Sequence, residues 1–342
     1  MKRYTIKDIA AQAGVSVTTV SRVINDQNDV SEETRKKVKA IIKRVGYVAN
    51  ASAQHLAGAK MNSIGLLMPG LGSGYSTEII RGVAEAAAEA EYDLVLYAAH
   101  EPQGVGGKEK NILTLLTRGK VDGVVVILPR TVSQQLNRLW NSGIPVVIVD
   151  HRATGGTVPS VAATNFQGGL DGTRYLLGLG HQRIGFITGD LQVPAAIERL
   201  EGYKQALIDA GISVDDSIIV NGYFDTKSGY QAAQTLMKHE DPPTAIFASN
   251  DDSALGAMAA IKEMGFRIPE DISIIGFDDI PRAADSFPPL TTVRQPLVEM
   301  GKTAVEILVR ILNRERITQN RIELPTKLII RGSCARLQSR GR

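Results

Sequence analysis

From Ser63 onward, short apolar runs alternate with longer stretches in which apolar residues recur every three or four positions. Ile64 to Met68, Leu94 to Tyr97, Val124 to Leu128 and Val146 to Val149 are such runs, bounded by Gly, Pro or Asp. Because they lack polar alternation, they predict strands of a parallel sheet covered on both faces by the intervening helices. A second set follows at Arg183 to Ile187, Ser217 to Val220, Ala245 to Ala248 and Ile272 to Phe277. Two units of similar plan predict two lobes with a cleft between them. A helix from about Leu297 to Leu312 and a strand around Lys327 to Ile330 come late, so the chain is expected to cross between the lobes more than once.

Before Ser63 the period is helical. Ile6, Ile9, Ala10 and Ala13 fall on one face, Gly14 interrupts, and Ser16 offers a hydroxyl to cap a second helix carrying Val20, Val23 and Ile24. This is a helix-turn-helix pattern. Ser31 caps a third helix with Glu32 and Glu33 in its first turn, Lys43 and Arg44 in its last, and a buried stripe of Val38, Ile41, Ile42 and Val45 before Gly46. The second helix leaves Val17, Thr18, Ser21 and Arg22 outward at the end that meets base edges when such a helix enters a major groove. The planar fork of Arg22 can bond two acceptors on one guanine edge, which lysine cannot copy. Ser16, Thr19 and Ser21 carry short hydroxyls suited to phosphate oxygens. The plain alternative is a small helical hairpin with a solvated arginine.

Charge sharpens this division. Residues 1–60 hold 11 Lys+Arg against 5 Asp+Glu, whereas the rest of the 342-residue chain holds 28 against 31, so the net charge of +3 conceals a basic headpiece. Duplex phosphates attract such a unit, in a salt-dependent way. One cysteine, Cys334, excludes an intrachain disulfide framework and fits a reducing compartment. With no signal-peptide pattern and no apolar stretch near the roughly 20 residues that span a bilayer, a cytoplasmic protein is expected. Residues 47–61 are alanine-rich and read as a hinge helix too short to be stable alone. Leu56 could wedge between base steps in a minor groove or simply pack on its neighbour.

Taken together, TIKDIAAQAGVSVTTVSRVIN, VSEETRKKV, GYVANASAQHLAG, VDGVVV, LGHQRIGFITG, ASNDDSALGAM and IPEDISIIGFDD followed by PPLTTVRQP resemble the lactose-repressor and galactose-repressor family of bacterial transcription regulators, from about Thr5 to about Gly332. The resemblance implies an all-α helix-turn-helix DNA-binding headpiece plus an α/β two-lobed periplasmic-binding-protein-like effector domain, its lobes joined by three crossovers. The expected boundaries are 1–48 for the headpiece, 49–61 for the hinge and 62–335 for the effector domain. Lobe 1 is expected at about 62–163 and 293–322, and lobe 2 at about 164–292 and 323–335. A homodimer on double-stranded, pseudo-palindromic operator DNA is implied, with Thr5, Ser16, Val17, Thr18, Thr19, Ser21, Arg22, Asn25, Ala53 and Leu56 as DNA-contact candidates.

The resemblance also names effector candidates. Arg199 could hold two ligand oxygens, Asp278 could accept sugar hydroxyls, Asn250 offers donor and acceptor, and Phe224 offers an apolar face. Tyr75, Asp150 and Gln295 complete the set, expected at carboxyl ends of strands, where open α/β sheets bind ligands. Asp251 and Asp279 read as caps. Two departures bear on the ligand: Ser76 stands where a second aromatic ring is often found, and Ile127 where sugar-binding members place a polar group, with Arg130 close by. The chain stops without leucine heptads, so a dimer is the expectation.

The function implied is a repressor of a carbohydrate-utilisation operon answering to a small ligand, a sugar first of all. A purine- or nucleoside-responsive regulator, or one using a protein corepressor, stays open. As a dinucleotide-binding enzyme the chain fits poorly, since Gly70 to Gly74 reads G-x-G-x-G and not G-x-G-x-x-G. No cofactor is expected: the five histidines are scattered singly, giving no metal cluster, and no nucleophile sits in a G-x-S-x-G elbow. A transport binding protein would need a signal peptide and would not need the basic headpiece.

Overall fold

The computed structural model describes residues 4–24, 27, 29–45, 61–68, 72–98, 121–127, 143–150 and 158–337. The chain divides into two compact units, Met1–Met61 and Asn62–Arg342. Asn25, Ala53, Leu56 and Arg130 lie outside the described residues, as does the proposed hinge before Met61.

In the first unit, α1 (Ile6–Ala13), α2 (Val17–Ile24) and α3 (Glu32–Val45) form a three-helix headpiece. Thr5 opens α1 through a capping box: its hydroxyl accepts from the Asp8 N–H at 3.3 Å, and the Asp8 carboxylate accepts from the Thr5 N–H at 2.7 Å. Gly14 closes α1 in the left-handed region at φ 68°, where a side chain would be strained. The Ser16 hydroxyl accepts from the Thr19 N–H at 3.1 Å and starts α2. Ile9, Ala10, Ala13, Val20, Val23, Val38 and Ile41 form the core, as the helical period predicts.

Among the described residues, the second unit contains two six-stranded sheets. The first takes β1 (Ser63–Met68), β2 (Asp93–Ala98), β3 (Gly123–Ile127), β4 (Val146–Val149) and β5 (Ser160–Ala163), with the late strand β11 (Arg321–Leu324), in the order β11-β5-β4-β3-β1-β2. All its pairings are parallel. Helices α4 (Gly74–Glu89) and α10 (Leu297–Leu312) belong to this lobe, where they supply Ile79, Val83, Met300, Val305 and Leu308 to one core with the strands.

The second sheet runs β12-β10-β9-β8-β6-β7, where β6 is Ile184–Ile187, β7 Ile219–Val220, β8 Ala245–Ala248, β9 Ser273–Asp278, β10 Thr291–Arg294 and β12 Lys327–Ile329. It is parallel except for β12, which pairs antiparallel with β10. Its helices are α5 (Asn165–Gly178), α6 (Pro194–Asp209), α7 (Thr226–Met237), α8 (Asp251–Glu263) and the short α9 (Pro281–Asp285).

The chain passes between the lobes after Ala163, after Arg294 and after Leu324. β11 falls wholly in the first sheet, so the third crossover comes later than the expected division at 322, because Arg321 to Leu324 pair in register with Ser160 to Ala163. Two crossovers are tied together, the Thr326 N–H donating to the Thr164 hydroxyl at 2.9 Å. The expected strand from Ser217 shortens to Ile219–Val220, since Asp215 accepts from the Ser217 N–H at 2.9 Å and caps a turn of 3-10 helix there. No described helix is long and apolar enough to cross a membrane.

Candidate functional site

At the junction of the lobes, Ser73, Tyr75, Asp150, Arg199, Phe224, Asn250 and Asp278 line a small cavity of about 40 Å³. Each reaches it for a local reason. Asp150 and Asp278 sit at the carboxyl ends of β4 and β9 with φ of 61° and 110°, turning both carboxylates off their strands toward the junction. Tyr75 lies in the first turn of α4, next to the N-cap Ser73. Arg199 does not sit at a strand end, contrary to expectation, but in the second turn of α6, from which its long side chain crosses to the strand ends.

Helix packing sets that reach. A Cβ added at Gly169 of α5 would stand 2.3 Å from the Arg199 carbonyl oxygen, and one at Gly202 of α6 would stand 2.1 Å from the Phe166 carbonyl oxygen. The two helices therefore touch backbone to backbone, and Arg199 is carried against the sheet. Its side chain is 3% exposed. Nε donates to Asn165 Oδ1 at 2.9 Å, and one terminal nitrogen donates to the Ser249 carbonyl at 2.6 Å and to Asp278 Oδ1 at 3.4 Å. The other lies 3.8 Å from Asp150. The guanidinium rests 3.9 Å from the Phe277 ring centroid and 5.8 Å from that of Phe224.

The carboxylates are braced from both lobes. Asp150 accepts from the Tyr75 hydroxyl at 3.2 Å and from Asn165 Nδ2 at 3.0 Å. Asp278 accepts from Gln295 Nε2 at 2.6 Å. Burial pushes the Asp278 carboxyl up to about 7 against the opposing pull of Arg199 and the Gln295 bond, while nearby Asp150 adds to the rise. Burial first, then the Asp150 and Asp278 charges, holds the Tyr75 phenol well above its usual range, so it is a hydrogen-bond donor and not a base.

Two expected ligand contacts have other work. Gln295 lies on a crossover, holds Asp278 and faces an open depression with Asp279, Arg294 and Arg331 instead of the cavity. Asn250 borders the cavity, yet its Oδ1 caps α8 through the Ser253 N–H at 3.0 Å and its Nδ2 donates to the Phe224 carbonyl at 3.0 Å. It thereby holds Phe224, whose φ is 62° and whose ring occupies the space over Gly189: a Cβ there would stand 2.0 Å from the ring. Asp251 is a brace, accepting from the Ile280 N–H at 2.9 Å and the Thr292 hydroxyl at 2.6 Å, and Asp279 pairs with Arg294 and Arg331, each at 2.6 Å. Ser76 fits into the α4 cap, its N–H donating to Ser73 Oγ at 3.1 Å, and Ile127 is in the core.

Sequence reasoning missed Ser73, Asn165 and Phe277. Asn165 follows directly on a crossover, a position whose importance shows only once the lobes are assembled. Ser73 carried a readable signal as a cap, but its place in the cavity wall did not.

In the headpiece, Ser16, Val17, Thr18 and Arg22 are exposed and Thr19 and Ser21 half-buried; Val17 and Thr18 open α2, whereas Arg22, contrary to expectation, lies in its last turn. Thr5 and Ser16 are engaged as helix caps. Arg22 pairs with Asp29 at 2.9 Å. Among the described residues no group of His, Cys, Asp and Glu could hold a metal ion.

Residues 5–50 match the family described as bacterial regulatory proteins, lacI family, and residues 173–334 match the periplasmic binding protein-like domain. The chain is 38% identical over 335 residues to the HTH-type transcriptional repressor PurR of Klebsiella pneumoniae (strain 342), covering 97% of each protein. The structure of the lac repressor dimer bound to operator and the anti-inducer ONPF matches with a TM-score of 0.85 at 29% identity, over 98% of this chain and 100% of that one. The complex of the transcriptional regulator CelR with cellobiose matches with a TM-score of 0.74 at 32% identity, over 97% of this chain and 100% of that one. The architecture is the one the motifs imply: a helix-turn-helix headpiece and a two-lobed, periplasmic-binding-protein-like unit.

Proposed function

The chain belongs to the lacI family of bacterial regulatory proteins, and from that premise we propose that it represses a carbohydrate-utilisation operon in the cytoplasm and is switched by a sugar held between its two lobes. It is a DNA-binding transcriptional regulator and not an enzyme; it acts as a homodimer on operator DNA and answers to a small effector.

One observation carries the sugar reading: two buried carboxylates, Asp150 from lobe 1 and Asp278 from lobe 2, flank a cavity walled on one side by the Phe224 ring. Carboxylates accept ligand hydroxyls, and an aromatic face suits the C–H side of a sugar ring. Because Asp150 and Asp278 come from different lobes, a ligand bridging them binds the closed arrangement more tightly than any open one. That differential affinity is what lets it move the equilibrium, and hence operator affinity. On the headpiece, the proposed base reader is Arg22, exposed in the last turn of α2, with Val17, Thr18 and Ser21 on the same helix.

Purine responsiveness is the second reading, favoured by the 38% identity to PurR and by the ability of the Phe224 ring to stack on a planar base. Thermal unfolding against a panel of sugars, nucleosides and purines separates them. At a hundred times its dissociation constant a true ligand adds about 2.7 kcal/mol, a shift of several degrees. A shift from a sugar, lost in Asp278→Ala and accompanied by changed operator affinity, supports the proposal. Shifts from purines alone overturn the sugar assignment, and silence across the panel redirects the search to a protein corepressor.

A further inference from the structure

We propose that the cavity selects an uncharged, hydroxyl-bearing ligand and excludes the phosphorylated or carboxylated form of the same molecule. This rests on the sugar reading of the cleft and narrows it by charge.

Among the described lining residues there are two carboxylates, Asp150 and Asp278, and one cation, Arg199. All three side chains are 3% exposed or less, so solvent screens them little. The cation is already engaged through Nε, which faces Asn165 Oδ1, and through one terminal nitrogen, which faces the Ser249 carbonyl and Asp278. The other terminal nitrogen stands 3.8 Å from Asp150, and the Phe277 ring underlies the plane.

For a ligand phosphate to take Arg199, the guanidinium would have to leave these acceptors. The Ser249 carbonyl and Asn165 Oδ1 would then be buried without their donor, and two carboxylates would face the incoming anion at short range. Among the described residues, the other nearby arginines are engaged elsewhere. Arg282 pairs with Asp252 at 3.2 Å, and Arg294 and Arg331 pair with Asp279 on the side of the crossover away from the cavity.

A neutral hydroxyl ligand meets no such conflict. Its O–H groups donate to carboxylate oxygens whose negative charge strengthens the bond. Arg199 then has a different part from a ligand clamp: it balances the carboxylates that do the binding. Removing one carboxylate charge while keeping its shape should relax the discrimination.

The test is isothermal titration of the full-length protein with matched pairs: glucose and glucose 6-phosphate, ribose and ribose 5-phosphate, and cellobiose with inorganic phosphate as a separate anion probe. The expected result is that a sugar which binds does so at least about tenfold tighter than its phosphate ester, and that Asp150→Asn narrows the gap, with Asp278→Asn as the second variant should the first not fold. An ester that binds as tightly as its parent sugar overturns the inference and leaves the sugar reading standing. If no sugar or ester binds, the sugar reading fails, and inorganic phosphate decides the question of charge. Saturable uptake by the wild type that is lost in Arg199→Gln overturns the exclusion of anions; no uptake upholds it.

Discussion

Two arginines, one in each unit, show how differently the two regions use the same side chain. Arg22 on α2 is 47% exposed and pairs at 2.9 Å with Asp29, itself 51% exposed. Arg199 on α6 is 3% exposed and stands between two carboxylates, a carbonyl and an amide oxygen. An exposed pair is worth about 0–1 kcal/mol and is easily exchanged for another partner. Stripping one partner from a buried cluster costs about 3–5 kcal/mol, because the remaining charges lose their compensation. Reading DNA needs a guanidinium that can be released; holding a cavity open to a ligand needs one that cannot.

The largest effect that would break this contrast is on Arg199. Arg199→Ala should destabilise the Asn62–Arg342 unit by about 3–5 kcal/mol, read as a lowered denaturant midpoint, with the headpiece transition unmoved. A loss below about 1 kcal/mol would mean that the buried cluster behaves like the exposed pair. Arg22→Ala should leave stability within about 0.5 kcal/mol. It should cost about 1–3 kcal/mol of base discrimination at one position of each half-site, measured by binding to single-substituted operators. Uniform weakening on all duplexes would make Arg22 a phosphate contact instead.

A pH experiment sharpens the comparison from within the buried unit. His181 lies between the Thr244 hydroxyl at 3.0 Å, the Ser273 hydroxyl at 3.0 Å and the Ala335 carbonyl at 3.1 Å, and burial lowers its pKa below 6.5. The fold therefore favours the neutral ring. Its contribution is complete above the unfolded value and is lost as pH falls below 6.5, by at most about 1.4 kcal/mol per pH unit. Asp278, raised to about 7, acts in the opposite sense, since its protonation as pH falls relieves a disfavoured buried carboxylate. Unfolding of wild type and His181→Gln at about pH 7.5 and about pH 5.5 isolates the histidine, because the Asp278 contribution is common to both. Equal acid sensitivity in the two proteins would remove His181 from the account.

The smallest expected effect is at Asp29. Asp29→Asn should change headpiece stability by about 0–1 kcal/mol and raise affinity for non-specific duplex, with a slightly steeper salt dependence. A large stability loss would show that the exposed pair is structural after all.

Legibility follows the same division. The headpiece could be read almost entirely from its 3.6-residue period, because its helices pack on near neighbours in the chain and its caps at Thr5, Ser16 and Ser31 bond three residues on. The central strands were legible as apolar runs, since both faces are buried. β5, β10 and β11 escaped notice: each is four residues long, and β11 alternates Arg, Ile, Glu and Leu on a half-exposed edge, which carries no strand signal of its own. In the cavity, Tyr75, Asp150, Arg199, Phe224, Asn250 and Asp278 were all named from the resemblance and residue chemistry, but their division of labour was not. Gln295 and Asn250 have amide groups as fit for a ligand as for a neighbour, and only the fold assigns them to Asp278 and Phe224.

By itself, then, the sequence determined the class of each segment and the kind of chemistry each could carry. Periodicity, caps and charge are local properties, and they specify a basic helical headpiece followed by an α/β unit of two repeats. The tertiary structure decided where the lobes exchange chain, and that Arg199 stands between Asp150 and Asp278. Those outcomes depend on contacts between residues far apart in the chain: Asp150 with Arg199, Arg199 with Asp278, and Thr164 with Thr326. No local pattern encodes such contacts, because they exist only after two sheets and three crossovers have closed around one junction.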